Sequence, residues 1–194
     1  MTRPTDTRGR ILAAATSLLR GGGLPAVTFD AVAATLGVTK QAVIYWFPTK
    51  SDLLAEIALP GLQAEAAAAI RAARTAPSGK AAAAAVVRAL IAFHLDDLER
   101  FRLLYVAPQS PLSNARAFDF VDRVHPVSRA MYDAIEAALG EVADARRTAV
   151  ALHMAALGHV LLVALTDAVG DPLAHPPAQL AERLAQLVAD GVGG

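Results

Sequence analysis

An all-α protein with a basic amino-terminal head is what this sequence predicts, and three observations carry the prediction. Apolar residues recur every three or four positions in several segments, and no stretch sustains the alternation of a half-buried strand. Alanine, the strongest helix former, dominates a chain that is 55% hydrophobic. Charge is divided unevenly beneath a net charge of zero. Residues 1–50 carry Arg3, Arg8, Arg10, Arg20, Lys40 and Lys50 against Asp6 and Asp30, a net +4, so residues 51–194 carry net −4. A basic head on an acidic body points to a polyanionic partner for the head alone.

The 194 residues suffice to bury a sizeable core. Cysteine is absent, which excludes disulfides, thiolate metal sites and cysteine nucleophiles. Two apolar stretches resemble membrane signals. Residues 11–19 follow arginines but lack a small-x-small cleavage pattern, and Asp6 lies upstream. Residues 148–165 carry two histidines and read as a helix buried between others, so no membrane partner is expected.

The first helix is expected from about Thr5 to Arg20, with Gly21–Gly23 ending it. Thr28 caps a second helix whose apolar face is Phe29, Val32, Ala33 and Leu36, and Gly37 ends it. Thr39 caps a third, which runs to Phe47 and stops at Pro48. Two short helices joined at Gly37 form a helix-turn-helix pattern. Thr49 or Ser51 opens a long fourth helix to about Arg74, with a kink expected at Pro60–Gly61. Further helices are expected at about 79–98, 99–107, 113–139, 141–168 and 177–191. The domain division is 1–50 for the head and 51–194 for the body.

The third helix holds the chain's single tryptophan beside a tyrosine. At about 100° per residue, Gln41, Tyr45, Ala42 and Trp46 fall on one side, and Val43, Phe47 and Ile44 on the other. The second set is expected to pack against the first two helices. The first suits the DNA major groove, where the amino-terminal part of a helix meets base edges. Gln41 pairs with adenine, Lys40 reaches guanine acceptors or a phosphate, and Ala42 touches a thymine methyl. Tyr45 and Trp46 offer a hydroxyl and an indole N–H to phosphates. Lys50 and Thr28 stand at helix amino termini, where exposed amides also bind phosphate. The alternative is that Tyr45 or Trp46 packs as ordinary core under the fourth helix.

Residues 10–57, from RILAAATSLL through LGVTKQAVIYWFPTK to SDLLAEI, resemble the tetracycline-repressor (TetR/AcrR-type) family of bacterial transcription regulators. The resemblance implies a cytoplasmic homodimer on a roughly palindromic double-stranded operator, usually a repressor and not an enzyme, released by a small-molecule effector in the second domain. Thr28 and Lys50 match phosphate-contacting positions. Thr39, Lys40, Gln41 and Ala42 match positions at or near bases, and Tyr45 and Trp46 match positions reaching backbone or bases. The chain departs from the family at Ile44, where an aromatic is frequent. It departs again at Trp46, where histidine is usual, and at Gln41 and Ala42, where glycine and threonine are frequent.

The body carries no such motif. Residues expected to line an effector cavity are Phe93, His94, Tyr105, Phe118, Phe120, His125, Met131 and His153, an apolar set with a few polar groups. The alternative is that they are core. The histidine spacing suits no helical metal site, and neither a metal nor a cofactor is expected. Ala151, Ala155, Gly158 and Leu162 form one stripe, and Leu180, Leu184 and Leu187 another. Two such hairpins from two subunits would build a four-helix bundle, unless the stripes pack within one chain. A DNA-binding structural or nucleoid-associated protein with the same head and no effector switch is the rival reading. An enzyme is the other, and no phosphate loop, nucleophile elbow or carboxylate–histidine pattern supports it.

Overall fold

A computed structural model describes residues 4–106, 117–170 and 176–192, with the side chains of 4–6, 106 and 117–121 left out. Helices account for nearly all of it, and no strand occurs among the described residues. In order they are α1 (Pro4–Ala26), α2 (Phe29–Leu36), α3 (Lys40–Trp46), α4 (Lys50–Thr75), α5 (Gly79–Leu95) and the short α6 (Leu98–Phe101). A π-helical turn (Arg102–Val106) follows, then α7 (Ala117–Leu139), α8 (Ala145–Val169) and α9 (Pro177–Gly191).

The chain divides into two compact units, Met1–Leu62 with Glu99–His125, and Gln63–Leu98 with Pro126–Gly194. In the first unit one apolar cluster joins α1, α2, α3 and the start of α4. Its members include Ile11, Ala15, Leu19, Leu24, Val27, Val32, Val43, Phe47 and Leu53. In the second, α5 packs against both α8 and α9. Arg88 of α5 reinforces that packing with paired hydrogen bonds to Glu182 of α9, at 2.7 and 2.6 Å.

Caps fall where the sequence places them. The Thr28 hydroxyl accepts from the Ala31 N–H at 3.0 Å, and that of Thr39 from the Ala42 N–H at 3.2 Å. Thr49 opens α4 through a reciprocal box. Its hydroxyl oxygen accepts from the Asp52 N–H at 3.1 Å, and the Asp52 carboxylate accepts from the Thr49 N–H at 3.0 Å.

The end of α1 differs from expectation. Gly21 and Gly22 stay helical, and the break comes at Gly23 (φ 67°, ψ −168°). A further turn then carries Leu24 into the head core. The glycine run permits this because the backbone leaves the helical region at only one residue.

Gly37 ends α2 with φ 65°, and its N–H reaches back to carbonyls of α2. A Cβ there would meet nothing within 4 Å, so the constraint lies in the backbone alone. Gly37→Ala is expected to cost about 1–2 kcal/mol in urea unfolding through the left-handed conformation. An unchanged midpoint would contradict that origin.

Candidate nucleic-acid interface

Helix α3 is seven residues long and owes its position to its inner face. Val43 and Phe47 are fully buried in the head core. The Arg8 guanidinium lies over the Phe47 ring at 5.3 Å and pairs with Glu56 of α4 at 2.7 Å, while Arg123 of α7 pairs with the same carboxylate. Burial disfavours the charged form of Glu56, but the bonds from Arg123 and Arg8 outweigh it and hold its pKa below the ordinary value. The inner end of α3 is thus clamped from α1 and α4.

The outer face of α3 carries Lys40, Gln41, Ile44 and Tyr45, all exposed, with Tyr45 at 80%. Ala42 and Trp46 are half-buried, and Trp46 packs on the head core. This corrects the expected facing. Ile44, expected inside, is 37% exposed, and Trp46, expected outside, is partly covered. The exposed side is turned from the expected one by about one residue's rotation, roughly 100°. The indole offers far more apolar area to the core than a sec-butyl group, so the helix settles with Trp46 toward it. Tyr45 stands edge-on to Trp46, with ring centroids 5.5 Å apart.

The charged residues have partners within the head. Lys40 Nζ lies 2.8 Å from the Asp30 carboxylate of α2. Lys50 Nζ donates to the Leu24 carbonyl at 2.9 Å, and burial lowers its pKa. Lys50 therefore ties the end of α1 to the start of α4. Thr28 and Thr39 are both exposed at helix amino termini.

In the second unit the expected effector residues divide. His94, Met131 and His153 are buried and Phe93 is half-buried, while His125, which belongs to the first unit, is exposed. Tyr105, in the first unit, is half-buried, its ring 5.5 Å from that of Phe101. Phe118 and Phe120 lie outside the described side chains.

Two of the histidines meet a residue the sequence reading missed. Glu65 of α4 is 2% exposed, and its Oε1 lies 2.8 Å from His153 Nε2 and 3.4 Å from His94 Nε2. His153 Nδ1 lies 2.8 Å from the Tyr132 hydroxyl. An ionised carboxylate only accepts, so His153 Nε2 carries a proton, and in the neutral ring Nδ1 accepts from Tyr132. Burial would raise the Glu65 pKa, but the hydrogen bonds of His153 and His94, joined by the charge of those rings when protonated, outweigh it and lower it to about 2. Burial, and then the Glu65 charge, push the Tyr132 phenol up and keep it protonated. A signal for Glu65 existed, since it is the only charge between Glu56 and Arg71. No group of residues fit to hold a metal ion occurs among the described residues.

Two open clefts are formed by described residues of this unit. One, of about 690 Å³, is lined by Ser78, Lys80, Leu139, Thr148 and Val192 among others. The other, of about 470 Å³, is lined chiefly by alanines with Arg74 and Asp133. None of the expected effector residues lines either cleft.

Helices α8 and α9 bury one side and leave the other apolar. Ala149, Leu152, His153, Ala156, Val160 and Ala164 of α8 face inward. On its outer side stand Ala151, Met154, Gly158, Leu161, Leu162, Leu165 and Val169, with Leu162 at 64% and Val169 at 77% exposure. Leu180 and Leu187 of α9 are also exposed, while Ala155 and Leu184 are half-buried. Met154, Leu161, Leu165 and Val169 extend the stripe beyond the residues the sequence singles out. By length and composition alone, α4 and α8 are apolar enough to cross a membrane, and a third of each such window is buried.

The comparisons with known proteins agree with this geometry. The model of the tetR family of bacterial regulatory proteins matches residues 11–57, from the buried Ile11 of α1 through α3 into α4. The sequence matches none of the curated proteins. Among solved structures, the fold is similar to a tetR-family regulatory protein from Rhodococcus RHA1. The TM-score is 0.67 at 22% identity, over 99% of this chain and 98% of that one. It is similar to FadR from Bacillus subtilis, solved in complex with stearoyl-CoA, with a TM-score of 0.70 at 12% identity over 94% and 98% of the two chains. It is also similar to the multidrug binding protein EbrR complexed with imidazole, with a TM-score of 0.65 at 22% identity over 96% and 90%. At these identities the likeness is one of fold. Residues 11–57 thus match the model of the tetR family of bacterial regulatory proteins, and the chain as a whole shares the all-helical fold of solved tetR-family structures.

Proposed function

We propose that this protein is a homodimeric transcription regulator, a cytoplasmic repressor that leaves a palindromic operator when a small molecule binds its body. The functional division is a DNA head at 1–50 and a sensing and dimerising body at 51–194. The observation that carries the reading is α3 itself. Its inner face is locked into the head core, and its outer face leaves Gln41 and Tyr45 in the open, inside the segment matched by the family model.

The roles follow from side-chain chemistry. Gln41 offers a paired donor and acceptor to adenine. The Thr28 and Thr39 hydroxyls accept their cap bonds and still have an O–H to donate to phosphate. Lys40 reaches DNA by exchanging Asp30 for a base or phosphate, and Lys50 by leaving the Leu24 carbonyl. Tyr45 presents its hydroxyl to a phosphate. Ala42 and Trp46, half-buried, contribute at the edge of the face.

The stearoyl-CoA bound by FadR and the imidazole bound by EbrR support a small-molecule effector here. The Glu65–His153–Tyr132 chain places polar groups among the apolar body helices. Phe93, His94, Tyr105, Phe118, Phe120, His125, Met131 and His153 remain our effector set. The dimer face is the outer stripe of α8 with Leu180, Leu184 and Leu187 of α9.

The test is a fluorescence titration of the full chain against duplexes from a sequence-selection experiment. Lys50→Ala is expected to weaken binding to all sequences and to reduce the salt slope by about one. Gln41→Ala is expected to relax one base position at a cost of about 1–3 kcal/mol. Equal, sequence-independent losses from both would refute the face assignment. A small-molecule panel that never releases the DNA would favour a regulator without an effector switch.

A further inference from the structure

Large exposed apolar side chains among the described residues fall in two places. One is the outer side of α8 and α9, and the other is Ile44 and Tyr45 on α3. We propose that Ile44 enters the major groove and reads the C5 methyl of a thymine. The inference rests on the reading of α3 as the DNA-facing helix, and it adds a specificity residue to that reading.

Ile44 shares its face with Lys40, four residues earlier, and Gln41, three residues earlier, the spacings that place side chains side by side on a helix. Tyr45 is its neighbour on the exposed side, and the buried Val43 and Phe47 anchor the helix in the core. Ile44 has no atom that can replace the hydration of a phosphate. Its favourable partner is an apolar group, and among the unmodified bases the thymine methyl supplies one in the major groove. The branched side chain is stiff at χ1, so it presents a fixed shape rather than a searching one. The net +4 of residues 1–50 favours DNA over an apolar protein surface as the occupant of this face.

The experiment uses the full chain and its best selected duplex, in which each thymine is replaced singly by deoxyuridine, removing only the methyl group. Wild type is expected to lose roughly three- to tenfold in affinity at one position per half-site, the order expected for one buried methyl. Ile44→Ala is expected to bind the thymine and deoxyuridine duplexes equally there, while Gln41→Ala keeps the methyl dependence. Ile44 is 37% exposed, so Ile44→Ala is expected to lower the melting temperature modestly while the variant stays folded at the assay temperature, which circular dichroism checks. Indifference of wild type to every replacement, or a best duplex without thymine beneath α3, overturns the proposal and leaves the DNA reading intact. A methyl dependence that survives in Ile44→Ala assigns the contact elsewhere, to Ala42 first, and also overturns it. Failure of wild type to bind any duplex specifically overturns both.

Discussion

Replacing Glu65 with alanine is expected to destabilise the folded protein by about 2–4 kcal/mol, the order for losing a buried hydrogen bond to a charged acceptor and leaving a cavity. That is a large share of the roughly 5–15 kcal/mol typical of a folded chain. The loss has three sources. The His153 Nε2–H loses the acceptor 2.8 Å away, the Nε2 of His94 loses the carboxylate 3.4 Å away, and a cavity opens beside Ala66 and Ala69, buried neighbours on the same helix. Glu65→Gln keeps the volume and loses the charge, so it should cost less.

The pH dependence of that cost has a definite sign. The folded-state pKa of Glu65 is lowered from 4.5 to about 2. A lowered carboxyl pKa contributes stability that is fully present above pH 4.5 and lost as pH falls toward 2. Two and a half pH units correspond to about 3 kcal/mol. Urea unfolding of wild type and Glu65→Gln should therefore differ most above pH 4.5 and converge as the pH drops below it. A difference that stays constant from pH 6 to pH 3 would show that Glu65 is protonated in the native state, and the assigned network would be wrong.

The second large effect concerns the outer side of α8. If the proposed dimer forms through this face, a Leu162→Glu, Leu165→Glu double variant is expected to convert it to a monomer in sedimentation at micromolar concentration. Both leucines are exposed on the single chain, and a stable homodimer interface needs an apolar core into which such groups fit. Two carboxylates placed there must be desolvated without partners, which costs several kcal/mol. Operator affinity should fall by at least about tenfold, because two heads no longer share one effective concentration on a palindromic site. Fold stability of the separated chain should change little, since neither side chain belongs to the inward set of α8. A wild-type protein that sediments as a monomer, or a variant that remains dimeric with full operator affinity, would remove this face from the assembly.

The all-helical class, the helix order and the caps at Thr28 and Thr39 were legible in the chain, and Thr49 was one of two candidates for the start of α4. They rest on local rules: periodicity, hydroxyl caps, and glycine at a left-handed stop. The apolar outer stripe of α8 and α9 was legible in part, through Ala151, Gly158 and Leu162, because side chains spaced by three and four share a face wherever the helix goes.

Local rules do not say which way a helix is turned. By angular position on an ideal helix Ile44 belonged inside, with Val43 and Phe47, and Trp46 outside. In the packed head the larger indole lies partly covered against the core and the sec-butyl group is left more open at the edge. Nor could spacing find the partners of His94 and His153. Glu65 lies 88 residues from His153 and on a different helix. The sequence by itself determined which segments coil and, the end of α1 apart, about where they stop. Only the tertiary structure decided which faces close against one another and which charges meet, because both depend on burial against residues distant in the chain.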